Sequence, residues 1–127
     1  MSVKSLKDLR ILIVDDDREI RETLFELLVL EGSIVTEASD GNQAFEMMKN
    51  YDYNVVLSDI RMPQCSGVDL LKRVRSEKDF TSPPILLMSA FTDISASKAK
   101  QLGAQGMFLK DSDSKHLKEM LMEAARK

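Results

Sequence analysis

The chain has 127 residues, 43% of them hydrophobic and 31% charged, which fits a single globular domain spanning 1–127 with a core of about residues 10–125. Its 18 basic and 21 acidic side chains leave a formal charge of −3, which excludes a nucleic-acid binder working through bulk positive charge. One cysteine, Cys65, and one histidine, His116, exclude an intrachain disulfide and a Cys/His zinc site. Apolar runs of four residues, such as Ile11–Val14 and Ile85–Met88, are too short for a membrane span or a secretory leader, so a cytoplasmic protein without membrane contact is expected.

In chain order, Arg10–Val14 is continuously apolar after its first residue and predicts a strand buried on both faces. Ile20, Leu24, Leu27 and Leu28 recur on one helical face, with Gly32 placed to stop the helix. Residues 33–38 predict a second strand, and Asp40-Gly41 turns the chain into a helix with Ala44, Phe45 and Met48 inward. Residues 54–58 predict a third buried strand ending at Asp59, and a loop with Pro63 and Gly67 leads into a helix carrying Val68, Leu71 and Val74. Pro83-Pro84 introduce a fourth strand at residues 85–88, and Thr92 or Asp93 is placed to cap a helix that Gly103 ends. A short fifth strand at residues 106–110 precedes a last helix with Leu117, Met120, Leu121 and Ala124 on one face.

Five strand–helix units in alternation predict an α/β fold, a parallel sheet with helices on both faces and right-handed crossovers. In such open sheets ligands gather beyond the carboxyl ends of the strands. The residues there are Asp15, Asp16 and Asp17 after strand one, Asp59 after strand three, Ser89 at the end of strand four and Lys110 at the end of strand five. Charge is uneven in the same sense: residues 1–92 hold 11 basic and 16 acidic side chains, residues 93–127 hold 7 and 5. Carboxylates gathered this closely need raised pKa values or a cation. Oxygen-only ligands favour a hard cation, and two or three carboxylates completed by water suit Mg²⁺. Mg²⁺ beside a nucleophilic carboxylate, a hydroxyl and a lysine makes a site for phosphoryl transfer.

Four motifs in order, Ile13-Val-Asp-Asp16, Asp59-x-x-Met-Pro-x-x-Ser-Gly67, Met88-Ser-Ala90 and Lys110, closely resemble the receiver domain of bacterial two-component response regulators, the chemotaxis type included. The resemblance covers residues 10–125 and implies a flavodoxin-like (βα)₅ sheet in the order 2-1-3-4-5. It implies that Asp59 accepts a phosphoryl group from the phosphohistidine of a sensor histidine kinase or a phosphotransfer protein. It further implies that Mg²⁺, with Mn²⁺ as a substitute, is held by Asp16 directly, by Asp15 through water, by Asp59 and by the backbone carbonyl of Arg61. Ser89 and Lys110 match the hydroxyl and the ammonium that meet the phosphoryl oxygens. Such a domain is no enzyme beyond its own phosphorylation and dephosphorylation. Its partners are a downstream protein or an output domain outside this chain, and phosphorylation-dependent homodimerisation belongs to the same range. The lysines Lys98, Lys100, Lys115 and Lys118 favour a partner with an acidic face.

Several residues have plainer readings. Asp17 is expected to cap a helix, since the family motif needs only two aspartates. Gly67 reads as a turn that a Cβ would block, Cys65 as an inert thiol, His116 as a surface residue and the eight methionines as packing. Three positions depart from the family pattern. Asp111 follows Lys110 where proline is usual, so a trans peptide is expected there. Met107 stands three before the lysine where an aromatic residue is common, with Phe108 on the opposite face of the strand. Phe91, two residues after Ser89, is placed with Arg61 to shield an acyl phosphate from water.

These departures keep a second function open, a degenerate receiver that binds partners without being phosphorylated. A phosphatase with an Asp-x-Asp nucleophile loop would use Asp15 and Asp17, but Glu19 stands where such loops carry a small β-branched residue. A flavin-binding relative would need hydroxyl and backbone donors where this first loop offers carboxylates.

Overall fold

The structure is a computed structural model that describes residues 5–62, 64–77, 80, 82–89, 95–110 and 112–125. Ten elements alternate without exception: β1 (Arg10–Val14), α1 (Arg18–Leu30), β2 (Ile34–Ala38), α2 (Gly41–Asn50), β3 (Val55–Asp59), α3 (Gly67–Ser76), β4 (Ile85–Ser89), α4 (Ala96–Gln101), β5 (Gly106–Leu109) and α5 (Ser114–Ala124). All strand pairs are parallel, and the sheet runs β2-β1-β3-β4-β5. The expected fold and strand order are those observed.

The strands read as unbroken apolar runs because both faces of the sheet are covered. Leu12, Val14, Val56, Ile85 and Leu87 pack toward α2, α3 and α4, while Ile11, Ile13, Val55, Leu57, Leu86 and Met88 pack toward α1 and α5. Burying one such side chain fully contributes about 1.5–3 kcal/mol, so the central strands anchor the fold. Alternation along each strand divides its residues between the two layers.

The helix ends follow local chemistry. Asp17, Asp40, Ser66, Ser95 and Asp113 each accept a backbone N–H from the first turn of the helix that follows. At α3 the cap is reciprocal: the Asp69 N–H donates to Ser66 Oγ at 3.1 Å and the Ser66 N–H to Asp69 Oδ2 at 3.3 Å. Gly32 and Gly103, with φ of +89° and +105°, end α1 and α4 in the left-handed region that glycine enters without cost.

Three local expectations shift. Strand β3 ends at Asp59 as expected but starts at Val55, one residue later than the 54 expected. On α3 the buried face is Leu70, Leu71 and Val74, with Val68 only partly covered, because the helix starts at Gly67 and turns Leu70 inward. Helix α4 is capped by Ser95; Thr92 and Asp93 lie outside the described residues, as do Pro63, Ala90, Phe91 and Asp111. None of the helices described is long and apolar enough to cross a membrane.

Candidate functional site

Strand order and register assemble the site. Chain connectivity reverses between β1 and β3, which opens a crevice at their carboxyl ends. Val14 pairs with Ser58, Asp59 with Met88 and Ser89 with Leu109, so the ends of β1, β3, β4 and β5 stand level. Asp15, Asp59, Ser89 and Lys110 thereby meet at one edge of the sheet. Two different strand phases supply them. Asp15, Asp59 and Lys110 continue the phase of Ile13, Leu57 and Phe108, facing α1 and α5; Ser89 continues the phase of Leu87, which it shares with Met107.

Lys110 must cross β4 to reach β3. Neighbouring strands lie about 4.8 Å apart, so only a long side chain spans the gap. Its ammonium sits 3.3 Å from Asp59 Oδ1 and 3.2 Å from Asp15 Oδ2. Asp15 is fully buried: its N–H donates to the Ala38 carbonyl at 3.1 Å and its Oδ1 accepts the Asp17 N–H at 2.9 Å. Its Oδ2 accepts no well-formed hydrogen bond and is ion-paired with Lys110. Asp16 is exposed at the mouth of the crevice, in a shallow cleft with Ile60, Arg61, Met62 and Ser66.

Burial governs the protonation states. Loss of water raises the Asp15 carboxyl above its ordinary 3.8, against the pull of the Asp17 N–H and Lys110. Burial, and then the charge of Asp15, raise Asp59 in the same way, again opposed by Lys110. For Lys110 burial works to lower the pKa, but Asp15 and Asp59 outweigh it and the net shift is upward from 10.5. The lysine is therefore a fixed positive charge near neutral pH.

The donor set fits a divalent cation. Asp15, Asp16 and Asp59 each offer a carboxylate oxygen within 4.8 Å of the others. Three carboxylates against one ammonium leave an excess that one divalent ion neutralises, and the buried Asp15 Oδ2 has its ion pair with Lys110 but no hydrogen bond. All donors are oxygen, which suits Mg²⁺.

The loop after β3 is held tightly. The Ile60 N–H donates to the Met88 carbonyl at 3.0 Å and the Gly67 N–H to the Ile60 carbonyl at 2.9 Å. A Cβ on Gly67 would strike the Asp59 carbonyl oxygen and come within 3.1 Å of Ile60 Cα, so the start of α3 and the end of β3 touch backbone to backbone. Gln64, at φ +67°, turns the chain between them in a conformation that costs a non-glycine residue about 1–2 kcal/mol.

The sequence-predicted site residues lie together at the carboxyl ends of the strands: Asp15, Asp16, Asp59 and Lys110 in one cluster, Ser89 at the end of β4, and Arg61 lining the outer cleft beside Asp16 with its side chain exposed. Ser89 is buried at the end of β4, and its carbonyl accepts the Lys110 N–H at 2.8 Å. Asp17 is the expected cap, Cys65 is buried and free, and His116 is exposed. One residue was missed: Arg21 donates from Nη1 to the Asp15 carbonyl at 2.7 Å. Its signal in the sequence was faint, the second of two arginines after the aspartates, with Glu37 as an unexplained charge in a strand.

A doubly wound sheet with an acidic, cation-ready cleft and a lysine across it defines a phosphoacceptor domain of signalling proteins. Residues 11–122 match the response regulator receiver domain, and the chain belongs to that family. Chemotaxis protein CheY-3 of Vibrio cholerae is 36% identical over 117 residues, covering 91% of this chain and 90% of that protein. Regulatory protein AtoC of Escherichia coli is 34% identical over 116 residues, but this chain spans only 25% of its length. Among solved structures, response regulator TrrA of Thermotoga maritima, in complex with Mg²⁺ and BeF, superposes with a TM-score of 0.81 at 30% identity, covering 91% of this chain and 98% of that one.

Proposed function

We propose that Asp59 is the phosphoacceptor of this receiver domain and that Asp15, Asp16 and the Arg61 carbonyl join it in holding Mg²⁺, for which Mn²⁺ substitutes. The carrying observation is the Lys110 ammonium, placed 3.3 Å from Asp59 Oδ1 and 3.2 Å from Asp15 Oδ2. Bound Mg²⁺ would neutralise phosphoryl oxygens and lower the charge barrier to attack. Asp59 contributes the nucleophile: a carboxylate oxygen forms the new O–P bond as the P–N bond of the donor phosphohistidine breaks and the imidazole keeps the electron pair. Lys110 pairs with a phosphoryl oxygen, and Ser89 supplies its hydroxyl from the other strand phase. The donor is a sensor histidine kinase or phosphotransfer protein, and the exchange takes place in the cytoplasm. A groove of about 400 Å³ beside Lys110, with Ile20, Leu24, Met88 and Phe108 as its apolar lining and Asp17, Glu19 and Thr23 as its polar one, suits the approach of such a donor. A downstream protein, or an output domain, reads the modified state.

Incubation with Mg²⁺ and a small acyl-phosphate donor tests this reading. One phosphoryl mass is gained on the wild-type protein and none on Asp59→Asn. Equal labelling of both proteins, or no labelling of either, would overturn it; the second outcome favours the phosphorylation-independent interaction module.

A further inference from the structure

Asp16 is exposed, and its carboxylate accepts no hydrogen bond among the described residues. Among the described residues, what aims it is the backbone. The peptide joining Asp15 to Asp16 is planar, so holding the Asp15 carbonyl oxygen also fixes the plane from which Asp16 departs. Arg21 holds that oxygen, donating from Nη1 at 2.7 Å across the first turn of α1. The guanidinium is itself anchored: its Nε lies 3.4 Å from Glu37 Oε1 on β2, with the two side chains 16% and 33% exposed. Two elements, α1 and β2, therefore clamp the one peptide that carries the outer carboxylate. Glu37 also cancels the charge of Arg21, so the clamp adds no net positive charge to oppose a cation.

We propose that Arg21, braced by Glu37, is a positioning residue that aims Asp16 at the divalent cation. The inference rests on the cation site assigned above and adds a residue that acts on the metal only through Asp16. Outer-shell partners of this kind typically change metal affinity by about 10–100-fold when removed.

The test measures Mg²⁺ affinity of the unphosphorylated protein by NMR titration of amide shifts, with urea midpoints recorded in parallel. Arg21→Ala is expected to weaken Mg²⁺ binding by about tenfold. In an Asp16→Ala background the same substitution should cost nothing further, because the residue it aims is gone; a purely structural role would subtract equally in both backgrounds. Should Arg21→Ala not fold, Arg21→Lys and Glu37→Gln report on the same clamp, each expected to lose affinity in the wild-type background and not in Asp16→Ala. Affinity within twofold of wild type in the folded variants, or equal losses in both backgrounds, would refute the proposal while leaving the cation site standing. A wild-type protein that shows no Mg²⁺ binding would sink both readings together.

Discussion

Lys110 and Asp59 are joined across an intervening strand: the ammonium on the end of β5 reaches over β4 to lie 3.3 Å from Oδ1 on β3. The contact ties the far edge of the sheet to its middle through one flexible side chain. It also sets the ionisation of both partners, since Lys110 lowers the carboxyl pKa that burial raises.

Replacing Lys110 by Met keeps the aliphatic stem and removes the charge. Asp15 Oδ2 then has neither hydrogen bond nor ion pair, and both carboxyls should titrate higher, visible in carboxyl ¹³C shifts. Labelling by an acyl-phosphate donor should slow by about a hundredfold, in line with loss of one preorganised charge at the reacting group. An unchanged rate would remove Lys110 from the phosphoryl chemistry.

Stability should depend on pH in a direction opposite to that of an ordinary salt-bridged carboxylate. Asp15 and Asp59 have folded pKa values above the unfolded 3.8, so between these limits the native state binds more protons than the unfolded one. Stability from this pair is present at low pH and lost as pH rises through the raised values. Without Mg²⁺, Asp59→Asn should gain on wild type from about pH 4 upward and level off above the folded pKa, by about 1.4 kcal/mol per unit of upward shift. Urea unfolding across pH, reported as the difference between the two proteins, measures it. Saturating Mg²⁺ should shrink that difference.

Gly67→Ala places a methyl group against the Asp59 carbonyl and Ile60. Neither backbone atom can yield without moving the acceptor loop. The expected cost is about 1–3 kcal/mol in urea unfolding, accompanied by slower labelling of Asp59. A stable but slowly labelled variant would show that the loop absorbs the strain.

Asp17→Ala separates capping from chemistry. The side chain accepts the N–H of Glu19 at 3.0 Å and stands in no carboxylate cluster with Asp59. Stability should fall by about 1 kcal/mol, while Mg²⁺ affinity stays within about twofold of wild type. A large loss of affinity would instead enrol Asp17 in the cation site.

Much of this site was legible because strand ends are easy to find. The run from Ile11 to Val14 and the run Val55-Val56-Leu57 are apolar on both faces, so Asp15 and Asp59 mark where the apolar runs give way to charge, although both aspartates are themselves buried. Asp17 could be read as a cap from its place before Arg18, and the structure agrees. Strand order was not readable from periodicity, because parallel strands of similar composition pair equally well on paper; the resemblance supplied it. Arg21 escaped notice because its partner is a backbone carbonyl, and a carbonyl leaves no mark in side-chain patterns. Leu70 was passed over in favour of Val68 at the start of α3, while Leu71 and Val74 lie on the expected face.

The two strand phases at the cleft carry a consequence for how such a protein diverges. Residues that face α1, namely Asp15, Asp59 and Lys110, lie on one side of a sheet whose other side carries Ser89 and Met107. On the proposed mechanism the donor is met along α1, while the Ser89 hydroxyl comes from the side that Met107 shares. Substitutions along α1 then redirect which donor is accepted and leave the Met107 side of the sheet untouched. A duplicated gene can thus change its donor without disturbing the residues packed behind the sheet.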